Sequence, residues 1–144
     1  MRRLFMLITI FISVNSQAMA AIQTIGNLTA DIPAGWSAEQ QNSVTVIKSL
    51  TRNASIAVAV NPLGEASMTD IAEHLYIQMS GKNLTQDSDG DYTFTYTTTS
   101  GADGFAILTN SGDGRYILMS ISGYGNQAVN DEIDAIIDSL EWND

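Results

Sequence analysis

GFAILTNSGDGRYILMSIS, residues 104–122, is the stretch that decides the fold. Two apolar runs, 104–110 and 115–122, flank Ser111-Gly112-Asp113-Gly114, which is made of the residues tight turns use. The pair reads as a β-hairpin. In its second run Tyr116 and Leu118 alternate with Ile117, Met119 and Ile121, so both faces are apolar. Residues 55–61 behave alike, with Ile56, Val58 and Val60 alternating with Ala57 and Ala59. A sheet with one wet face needs only every second residue apolar, so these strands predict cover on both sides.

Two segments can supply that cover. Met68, Ile71, Ala72, Leu75 and Met79 recur at helical spacing, with Ser67 placed to cap the first turn and Asp70 beside its positive end. Gly81 reads as the stop. Near the C-terminus Val129, Ile133, Ile136, Ile137 and Leu140 make a second apolar stripe, with Asp131, Glu132, Asp134 and Asp138 at its other positions. The expectation is an α+β fold: an α/β/α sandwich, mainly antiparallel sheet, with helices on both faces.

The remaining chain adds strands to this frame. Residues 44–50 and 55–61 are joined by a short polar connection, and 92–99 alternate Tyr92, Phe94 and Tyr96 with threonines. Residues 83–86 are a weaker strand, and 31–36 read as a turn around Pro33. No linker or repeat interrupts residues 21–144, which are expected to form a single α+β domain.

Residues 1–20 read as a cleaved signal peptide. Arg2 and Arg3 precede an apolar run from Leu4 to Val14, and Ala18-Met19-Ala20 places small residues where a signal peptidase cuts. The run is shorter than the roughly 20 residues that a membrane span needs. The chain has no cysteine, so this is not a lipoprotein leader and no disulfide staples the mature part. The expected location is the periplasm or exterior of a bacterium, with no membrane span after cleavage.

Losing Arg2 and Arg3 leaves four basic side chains against 16 acids, a formal charge of −12. That charge repels nucleic acid and anionic membrane alike. It permits cationic partners or divalent ions without requiring them.

Catalytic patterns are missing from the sequence. His74 is the only histidine and falls within a helical stretch, and with no cysteine the usual zinc sites are excluded. Met119-Ser120-Ile121-Ser122-Gly123 lacks the first glycine of a nucleophile elbow. The string with most metal character is Asp87-Ser88-Asp89-Gly90-Asp91, where Asp87, Asp89 and Asp91 could offer oxygens to Ca²⁺. Yet an EF-hand loop wants glycine sixth and glutamate twelfth, and this string offers Tyr92 and Thr98. A polar turn is the plainer reading. No cofactor is implied.

Four residues are candidates for contacting another protein. Trp36 and Trp142 could mark a surface or plug the ends of the core. Tyr124 and Asn126 lie in Gly123-Tyr124-Gly125-Asn126, where flanking glycines would put the ring on an adaptable loop.

Ile32-Pro33-Ala34-Gly35-Trp36, Gly114-Arg115-Tyr116-Ile117-Leu118 and the closing stretch from Asp131-Glu132-Ile133 to Ser139-Leu140-Glu141-Trp142 resemble landmarks of the PsbP-like family of exported domains. That group shares its fold with a nuclear-import factor that binds the GTPase Ran. The likeness covers nearly the whole mature chain. It implies the same sandwich, used mainly for docking onto other proteins, and brings no catalytic residues. The expected function is therefore a non-enzymatic exported accessory or protein-interaction domain whose partner is another envelope protein. The alternative is a small-ligand or Ca²⁺-binding periplasmic module.

Overall fold

The computed structural model describes residues 20–143. Residues 1–19 of the expected signal peptide lie outside the described residues. Those described divide into two compact units, one made of residues 20–55 with 124–143 and the other of residues 56–123.

The first unit holds β1 (Ala21–Ile25), β2 (Leu28–Ile32), β3 (Trp36–Gln41) and β4 (Val44–Ser49). The helix Gln127–Ser139 and a short strand, Glu141–Trp142, complete it. β1 and β2 form an antiparallel hairpin with Ile25 opposite Leu28, and the short strand adds to the other edge of β2 with Trp142 opposite Leu28. β3 and β4 form a second hairpin, Gln41 opposite Val44. The helix packs on β2. Its Val129, Ile133 and Ile136 are buried at helical spacing, and so are Leu28, Ala30 and Ile32 on alternate positions of β2. Period 3.6 meets period 2 across one core.

In the second unit β5 (Ser55–Pro62) is followed by α1 (Met68–Gln78), β6 (Lys82–Gln86), β7 (Tyr92–Thr97), β8 (Asp103–Asn110) and β9 (Arg115–Ser122). The helix of the first unit is therefore α2 and its last strand β10. The strand order is β5-β9-β8-β7-β6. Antiparallel register places Tyr92 opposite Leu108 and Leu108 opposite Leu118, all on one face. α1 lies on that face: Met68, Ile71, Ala72 and Leu75 pack with Tyr92, Leu108, Tyr116 and Leu118. Its start is the expected capping box. Ser67 Oγ accepts from the Asp70 amide at 3.1 Å, and Asp70 Oδ2 accepts from the Ser67 amide at 3.3 Å.

The end of α1 differs from expectation. The left-handed residue after it is Ser80, with φ 53°, not Gly81. Gly81 is needed for closeness instead. A Cβ there would sit 2.6 Å from Tyr76 Cδ1 and 2.7 Å from Phe94 Cδ2, nearer than carbon atoms approach. Tyr76 meets Phe94 edge to face at 5.7 Å, and Phe94 meets Tyr96 at 6.4 Å.

The expected α/β/α sandwich with helices on both faces of one sheet is overturned. Strand makes up 48% of the described residues and helix 19%, and the strands fall into two sheets. The two helices belong to different units, α1 over the strands that follow it and α2 against β2. The inference from two-sided apolarity failed because such a face does not have to carry a helix. Opposite α1's face, Phe105, Ile107, Ile117 and Met119 are half-buried while Ile121 is buried, and register sets Thr93 and Thr95 beside Ile107 and Phe105. The polar strand β3 and the short β10 also escaped the periodicity reading, and they enlarge the sheet content.

Candidate functional site

The loop entering α2 carries the most exposed of the four candidate contact residues with a large ring. Tyr124 is 37% exposed. Gly125 holds φ 124°, a conformation closed to side-chain-bearing residues. Its amide donates to Asn130 Oδ1 at 2.9 Å. Asn126 takes the N-cap: its Oδ1 accepts from the Ala128 and Val129 amides at 3.0 and 3.4 Å. The backbone around Tyr124 is thus pinned on its C-terminal side by two asparagine side chains. Asn126, expected as a contact residue, spends its acceptor on the helix. Asn126→Ala should cost about 1 kcal/mol of stability, measured by urea unfolding, whereas Asn126→Asp should cost far less because it keeps an acceptor.

Trp36 and Trp142 are placed otherwise. Trp36 is 2% exposed, and its indole Nε1–H donates to Glu132 Oε2 at 3.0 Å. Arg52 Nη1 donates to the other oxygen, Oε1, also at 3.0 Å. One carboxylate on α2 therefore clamps both the first residue of β3 and the connection after β4. Trp36 is a core residue. Trp142 is half-buried in β10, and the next residue ties the strand down: the Asn143 amide donates to Asn27 O at 2.6 Å and its Nδ2 to Thr29 Oγ1 at 2.8 Å. The apolar stripe of α2 sets Glu132 among its outer acids. Its missed signal was position, since Glu132 directly precedes the buried Ile133 and so borders the stripe.

Asp87, Asp89 and Asp91 close the β6–β7 turn rather than facing a common point. Asp87 Oδ1 accepts from the amides of Asp89 and Asp91 at 2.9 and 3.0 Å, and the Asp87 amide donates to Asp91 O at 2.9 Å. This is an Asx turn, in which the first carboxylate stands in for a backbone acceptor. Among the described residues no three His, Asp or Glu side chains gather where a metal ion could be shared. His74 lies exposed on α1.

In the β8–β9 turn the acidity of Asp113 is clearly displaced. Hydrogen bonds from Arg115 and then Ser111 hold Asp113 well below the usual carboxylate range. A depressed acid stabilises the fold above its ordinary value of 3.8 and loses that contribution as pH falls from there toward the folded-state value. Asp113 is solvent-exposed, so screening keeps the effect small. Asp113→Asn should lower the melting temperature slightly at pH 7, and the gap from wild type should close as pH drops below 3.8.

No helix among the described residues is long and apolar enough to cross a membrane. No protein-family model matches the sequence, and no curated protein is significantly similar to it. A solved structure from Bacteroides thetaiotaomicron shares 13% identity with a TM-score of 0.48, over 82% of this chain and 46% of that one. The chain thus spans less than half the length of that protein.

Proposed function

We propose that this chain is a non-enzymatic accessory domain, exported to the bacterial envelope, that docks onto another envelope protein through the Tyr124 loop. The observation that carries this reading is the Tyr124 ring, 37% exposed on a loop braced by Asn126 and Asn130. Tyrosine offers a large amphipathic contact area, and a braced loop lowers the ordering cost of binding. The excess of acids directs the partner away from nucleic acid.

Co-purification from an envelope extract tests this, with wild type and Tyr124→Ala as baits at equal melting temperature. The expected result is a protein retained by wild type and depleted about tenfold with Tyr124→Ala, the effect of losing a central aromatic anchor worth about 1.4 kcal/mol or more. Equal recovery with both baits, or no retained protein, overturns the reading.

A further inference from the structure

We draw no further inference here: the strongest candidate, the row of exposed acids Asp131, Asp134 and Asp138 along α2 beside the Tyr124 loop, is an acidic cluster for which nothing in the structure points to a ligand.

Discussion

Trp36→Ala should lower the unfolding free energy by about 3–5 kcal/mol, the cost of emptying a buried tryptophan site. The indole is 2% exposed, and its Nε1–H satisfies one oxygen of Glu132. Two losses are therefore combined, the cavity and the donor. Trp36→Phe separates them, since it retains most of the apolar volume and removes only the N–H. A hydrogen bond to a charged acceptor contributes about 1.5–3 kcal/mol, so the phenylalanine variant should lose about that much and be the more stable of the two. Urea unfolding followed by circular dichroism reads both, with the midpoint moving and the slope steady. A loss below about 1 kcal/mol for Trp36→Ala would mean that Trp36 does not sit in a packed core.

Phe94→Ala carries the second large effect. Its ring is 1% exposed and meets Tyr76 and Tyr96 edge-on. Removing it forfeits about 3–5 kcal/mol of burial, and each ring pair is worth about 0.5–1.5 kcal/mol beyond area. The glycine beside it supplies an internal control. In the wild type Gly81→Ala forces a methyl against Phe94 and Tyr76, an overpacking that costs about 1–3 kcal/mol. With Phe94 already truncated, half of that clash is gone. The two substitutions should then cost less together than their sum, a coupling of about 0.5–1 kcal/mol. Strict additivity would show that the two residues do not touch.

Local structure was largely legible in the sequence wherever one residue type had one job. Ser67 and Asp70 announced the start of α1, the stripe through Val129, Ile133 and Ile136 announced α2, and the Ser111–Gly114 turn announced the hairpin of β8 and β9. What stayed hidden depends on partners far along the chain. β3 reads Trp-Ser-Ala-Glu-Gln-Gln, with only its first residue buried, so nothing in its own pattern marks a strand. β10 is two residues long and exists only through β2. The sandwich failed for a related reason: periodicity says that a face is apolar, not which element covers it.

The candidate site shows the same divide. Tyr124 stood out because glycines surround it. Asn126, expected as a contact residue, lies three positions before Val129, where an N-cap belongs, and takes that role. The sequence permits either surface or core for Trp36, and its burial together with the bond to Glu132, 96 positions away, decides for the core.

Both tails of the described chain meet in one place. β2 finds its helix and its outer strand only about a hundred residues later: the Asp31 amide bonds Ser139 Oγ across 108 positions, and Asn143 reaches Thr29 across 114. Joining such distant stretches sacrifices chain entropy before any contact is gained. The β1–β2 hairpin therefore gains its full cover only once residues 127–143 are available. The contacts that close this unit are thus among the least local in the chain, and losing either end of it should cost the other its partner.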